Sequence, residues 1–98
     1  MKPLDQWRRE GKFFEANGNR LAFWSTINPA EEKPWLLLIH GFPTSSWDWS
    51  GIWSALEKYF NLVAMDMLGF GLSDKPSNVR YSIMHQADFY EALLERQG

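Results

Sequence analysis

Two short segments carry residue types that could take part in chemistry. The first is His40-Gly41-Phe42-Pro43-Thr44-Ser45-Ser46-Trp47; the second is Asp66-Met67-Leu68-Gly69-Phe70-Gly71-Leu72-Ser73-Asp74-Lys75-Pro76. In the first, a glycine permits close backbone approach and a proline fixes φ, so together they can aim a free backbone N–H into a cleft. The same residues also suit an ordinary strand-to-helix turn, and residue types alone leave both readings standing. In the second, Gly69-x-Gly71 begins a dinucleotide-binding fingerprint. The fingerprint fails, because Asp74 occupies the third glycine position and Pro76 blocks an immediate helix start. Asp66 suits an acid, a ligand or an acceptor that organises the loop after it, and the last is the commonest use of Asp at such a place.

Other chemistries are excluded by inventory. The chain has no Cys, so disulfides, thiolate catalysis and Cys-ligated zinc are ruled out. Its two His, His40 and His85, lack His-Glu-x-x-His spacing, so no metal and no cofactor is expected. A net charge of −2 argues against a nucleic-acid partner. The longest apolar run, Trp35–Ile39, is far short of the ~20 residues of a membrane span. The first ten residues are polar and do not read as a secretory signal, so a cytoplasmic location is the expectation.

These segments need elements to hold them. At 98 residues the chain has room for one core, burying perhaps ~65% of its unfolded surface. Aromatic residues make up 16%, including six Trp, which calls for a large apolar core, an apolar pocket, or both. Residues 1–10 read as a polar lead-in with a short helical turn around Trp7, ended by Gly11. Phe13–Ala16 and Leu21–Trp24 flank Asn17-Gly18, the strongest short hairpin signal, and are expected to pair antiparallel. Pro34 introduces Trp35–Ile39, a continuous apolar run of the kind buried on both faces of a parallel sheet. Trp49, Ile52, Trp53, Leu56 and Phe60 then form a helical stripe capped by Ser45 or Ser46. Leu62–Met65 is a fourth strand, parallel to the third through a right-handed crossover. After a Gly- and Pro-containing loop, Ser82 caps a last helix with a stripe of Ile83, Ala87, Tyr90 and Leu94, widened by Phe89 and Leu93; Gly98 suits its C-cap. The expected order is β-β-β-α-β-α, an α/β fold.

His40-Gly41-Phe42-Pro43, followed one βαβ unit later by Asp66-x-x-Gly69-x-Gly71-x-Ser73-Asp74-Lys75-Pro76, resembles the N-terminal part of the α/β-hydrolase superfamily, in its epoxide hydrolase and haloalkane dehalogenase branch. The resemblance runs from about residue 11 to residue 98 and implies a sheet order of 1-2-4-3. It implies that Phe42 gives its backbone N–H to an oxyanion hole, where a donor is worth ~3–4 kcal/mol. It also implies that Pro43 follows a cis peptide bond and that Phe42 and Pro43 line the substrate pocket. Trp47 lies off the helical stripe and suits either the pocket wall or core packing. His40 would brace its loop by hydrogen bonding, and Gly41, Asp66, Gly69 and Gly71 would shape the two loops. Phe42 stands where dehalogenases of this branch place a halide-binding Asn, which favours epoxide or ester hydrolysis.

The family nucleophile sits on a Gly-x-Ser/Asp-x-Gly elbow. No such pentapeptide occurs; Gly71-Leu72-Ser73-Asp74-Lys75 lacks the closing glycine. His85 matches no catalytic position of the family. The expectation is thus the first part of a hydrolase for a small apolar ester, epoxide or related substrate, inactive alone. The alternative is a non-catalytic binding or assembly module. In the isolated chain Trp35–Ile39 would be an exposed sheet edge that promotes self-association, an edge that the resemblance implies a fifth strand covers in a longer protein.

Overall fold

The computed structural model describes residues 2–28, 30–41, 44–77 and 82–97, with the backbone alone for Ile83. Helix α1 spans Leu4–Glu10, with Asp5 in its first turn and Arg8 and Arg9 in its last, charges that suit the helix dipole. The segment read as a lead-in buries one residue completely: Trp7 is 1% exposed.

Strands β1 (Lys12–Ala16) and β2 (Asn19–Ser25) form the expected hairpin, with Ala16 opposite Asn19 and Phe14 opposite Leu21. Asn17 and Gly18 both take positive φ, 50° and 78°, the geometry that a two-residue turn requires to match strand twist. Strand β2 pairs antiparallel with β4 (Asn61–Met65), and β4 pairs parallel with β3 (Trp35–Leu38). The sheet order is β1-β2-β4-β3, as the resemblance implied.

Every residue of β4 is buried, and its two-residue period sorts them between two layers. Val63 and Met65 join Phe14, Leu21 and Leu68 beneath helix α3 (Ile83–Gln97), which contributes Phe89, Tyr90 and Leu93. Leu62 and Ala64 face the other way, among Trp7, Ala22, Trp24, Leu38 and Trp53, under α1 and α2 (Ser50–Leu56). The result is a central sheet with helices on both faces. Among the described residues no helix is long and apolar enough to cross a membrane.

Three sequence expectations need correction. Strand β3 is not buried on both faces: Trp35 is 46% exposed and the following Ile39 53%, because the sheet order leaves this strand at an edge. The Trp49–Phe60 helical stripe is split. Ser46–Trp49 is a 3-10 turn capped by the Ser45 hydroxyl, α2 ends at Leu56, and Phe60 lies beyond it. The tighter turn shifts the phase, so Trp53 is buried and Ile52 is exposed. In α3 the Ser82 hydroxyl accepts from the His85 N–H (3.1 Å), as expected of a cap. The inward face includes Phe89, Tyr90 and Leu93, as expected, but it takes in Gln86 while Ala87 is exposed. A polar residue takes an interior position there because the sheet-end loop needs its amide. Gly98 lies outside the described residues.

Candidate functional site

Strands β3 and β4 run parallel, so their C-terminal ends open at one place, where open α/β sheets bind ligands. Asp66, the first residue after β4, is 2% exposed and organises that edge. Its Oδ1 accepts from the Ser46 N–H (2.9 Å) and its Oδ2 from the Leu72 N–H (2.9 Å). Its own N–H donates to Ala22 O (2.9 Å) and its carbonyl accepts from Ser73 Oγ (2.6 Å). One carboxylate therefore joins the loop after β3 to the loop after β4 with two charge-assisted bonds. The loop-organising role of Asp66 is its observed geometry.

The glycines follow from that arrangement. Gly71 has φ +54°, and a Cβ there would lie 2.1 Å from Asp66 Oδ2. Gly69, at φ +92°, sends its N–H to Asp74 O (2.9 Å). Asp74 in turn accepts at Oδ2 from the Arg20 N–H (2.8 Å), tying the loop to β2. The Ser73 hydroxyl donates to Asp66 O and accepts from the Ala22 N–H (2.9 Å), while Ser73 is 2% exposed. That hydroxyl is a buried strut, not a nucleophile held ready for a substrate.

His40 braces both loops. The Met67 N–H donates to its Nε2 (3.0 Å), which leaves the proton on Nδ1 to donate to Gly41 O (2.8 Å). Its ring meets Phe70 edge-on, centroids 5.6 Å apart. Gly41 O also accepts from the Thr44 N–H (3.0 Å) and Oγ1 (2.8 Å), so one carbonyl gathers both ends of the segment. Phe42 and Pro43 lie outside the described residues, and with them the oxyanion N–H and the cis bond. Trp47 is half-buried against the α1/α2 core, and its Nε1 donates to Lys2 O (2.9 Å). With Thr44, Ser45 and Gly71 it borders an open depression of about 360 Å³.

A separate, apolar cavity of about 320 Å³ is lined by Ile39, His40, Met67, Gln86, Ala87 and Tyr90. The Tyr90 hydroxyl is buried with no hydrogen-bond partner among the described residues. Burial, with the Asp66 carboxylate second, pushes this phenol well above its ordinary pKa, so it is neutral at neutral pH. Sequence reasoning passed over Gln86. Its Oε1 accepts from the Leu68 N–H (3.0 Å) and its Nε2 donates to Leu68 O (2.9 Å), replacing a strand partner for that residue. The available signal was a glutamine on the apolar side of a helix. Trp7 was seen as a helix residue and not as a neighbour of this site, although its Nε1 donates to Ser46 Oγ (3.0 Å). His85 stays apart from the site chemistry, half-buried with its ring 5.1 Å from Phe89.

Helices on both faces of a 1-2-4-3 sheet, and two loops knitted together at its C-terminal edge, are the features of one large enzyme class. The chain belongs to the α/β-hydrolase family: the family profile described as alpha/beta hydrolase fold matches residues 34–98. Its sequence is 43% identical over 96 residues to the human mesoderm-specific transcript homolog protein, covering 97% of this chain and 29% of that one. It is 32% identical over 81 residues to a haloalkane dehalogenase of Bradyrhizobium diazoefficiens, covering 83% of this chain and 25% of that enzyme. Among solved structures, a haloalkane dehalogenase loop variant from Bradyrhizobium elkanii superposes with a TM-score of 0.77 at 31% identity, over 90% of this chain and 28% of its own. The chain therefore spans under a third of the length of these relatives.

Proposed function

We propose that this chain is the first part of a cytoplasmic α/β-fold hydrolase, epoxide hydrolase-like, that cleaves a small apolar ester, epoxide or related substrate. The Phe42 backbone N–H is one oxyanion-hole donor, and Phe42, Pro43 and Trp47 form one wall of the pocket. The nucleophile, acid and catalytic His come from other parts of the polypeptide. The observation that carries this reading is the Asp66 carboxylate, which locks the two loops at the mouth of the parallel strands through Ser46 and Leu72. A backbone donor in a loop held from behind in this way costs little reorganisation when charge develops on a substrate oxygen.

The test is the longer protein that contains this segment, assayed with activated esters, epoxides and haloalkanes. Turnover of an ester or epoxide is expected, with haloalkanes slower because Phe42 replaces the halide-binding Asn. Phe42→Ala keeps the N–H and should change the rate by less than ~10-fold, whereas Phe42→Pro deletes the donor and should cost ~10²–10³ in kcat. Equal rates for the two variants would exclude the oxyanion role.

One observation favours the alternative, an assembly module: the free edge of β3 exposes Trp35 and Ile39. We propose that the 98-residue chain self-associates through this edge. Sedimentation should show species heavier than a monomer that increase with concentration, and Trp35→Lys should reduce them. A clean monomer at high concentration would contradict this.

A further inference from the structure

We infer that helix α1 is a clip that positions the loop after β3, with Trp7 as the positioning residue acting through Ser46. The clip rests on the hydrolase reading only for its catalytic consequence; the geometry stands by itself. Ser46 opens the 3-10 turn that follows this loop and is fully buried. Its N–H is held by Asp66 Oδ1 (2.9 Å) from the β4 side, and its Oγ accepts from Trp7 Nε1 (3.0 Å) from the α1 side. The next residue repeats the connection in the opposite sense, since Trp47 Nε1 donates to Lys2 O (2.9 Å). Two consecutive residues of the 3-10 turn, where the loop ends, are thus anchored to the segment before β1.

Trp7 is itself fixed independently of the loop. Its ring stacks on Trp24 at 4.9 Å and 10°, and meets Trp53 edge-on at 5.2 Å and 84°. Its carbonyl accepts from Trp24 Nε1 (2.8 Å) and its N–H donates to Pro3 O (3.0 Å). An ion pair between Lys2 and Glu10 (2.7 Å) closes over the length of the helix. The rings would fill the core equally well without the indole N–H; its direction onto Ser46 is what separates a clip from packing. A loop that must present a backbone donor gains from restraint on both sides, because small misplacements of such a group are costly in rate.

The test is a cycle of Trp7→Phe, Ser46→Ala and the double variant in the longer protein, read in two ways. Amide exchange at residues 44–47 should accelerate about tenfold in each single variant and no further in the double, the signature of one shared bond. On an activated ester, kcat should fall about tenfold with KM unchanged, again without additivity. Lower melting temperatures with wild-type loop exchange, or strictly additive effects, would overturn the clip and leave Trp7 as packing alone. If the wild-type protein turns over no substrate, the hydrolase reading fails, while the exchange measurement still decides the clip. Ser46→Ala removes only the acceptor, so the cycle retains a readable arm if Trp7→Phe folds poorly.

Discussion

Replacing Gly71 with alanine is expected to cost most of the stability of this fold. Gly71 has φ +54°, a left-handed conformation that costs an L-residue about 1–2 kcal/mol. The larger problem is space. The new Cβ would stand 2.1 Å from Asp66 Oδ2 and 2.3 Å from its Cγ. That carboxylate cannot step aside freely, because the Ser46 and Leu72 N–H groups hold both oxygens. Moving it sacrifices charge-assisted bonds of about 1.5–3 kcal/mol each and leaves a buried charge underbonded. The sum is several kcal/mol, against the ~5–15 kcal/mol that stabilise a typical domain. Gly41 is the control: a Cβ there meets nothing within 4 Å, so Gly41→Ala should stay within about 0.5 kcal/mol of wild type. Urea unfolding of the two variants beside wild type measures the difference. A Gly71→Ala protein as stable as Gly41→Ala would mean that Asp66 does not hold the position described.

The second large effect is the absence of hydrolysis by the 98-residue chain alone. Acyl or alkyl transfer in this family needs an activated nucleophile, a His base and an acid working as a unit. The structure closes the obvious local substitutes. Ser73 is buried, with its hydroxyl bound to Asp66 O and the Ala22 N–H. His40 has Nε2 engaged by the Met67 N–H and Nδ1 by Gly41 O. Neither can serve a substrate without dismantling the loops it supports. Activated esters, epoxides and haloalkanes should therefore show no turnover above buffer, and Ser73→Ala should leave that unchanged. The same substitution should instead appear in unfolding experiments, at about 1–3 kcal/mol for stranding a buried partner. Turnover that disappears in Ser73→Ala or His40→Ala would reveal a working site within these residues.

Legibility in the sequence followed the range of the interaction. Asn17-Gly18 announced its hairpin because a two-residue turn places its own φ requirements on two adjacent residues. The apolar runs of β3 and β4 announced strands, and Ser82 announced its helix, for the same local reason. The paired motifs at His40 and Asp66 carried the family, and the family carried the sheet order. The phase of α2 and the place of Gln86 on the inward face of α3 escaped the sequence, because helical periodicity assumes an unbroken helix and an apolar interior. A 3-10 turn broke the first assumption at Ser46–Trp49. Gln86, bonded to the Leu68 backbone, broke the second.

Residue order alone was enough to establish an α/β chain, two Gly-bearing loops that each follow an apolar strand, and the lack of a nucleophile elbow, since each depends on neighbours within a few positions. It could not say why Gly71 has no substitute, or that Trp7, in a polar stretch, reaches the loop after β3. Those facts depend on groups brought together from distant parts of the chain: Asp66 against Gly71 across a loop, and Trp7 between Trp24 and Trp53 with its N–H on Ser46. Only the packed tertiary structure determines such distances, because they are set by how separate elements stack and not by the pattern within any one of them.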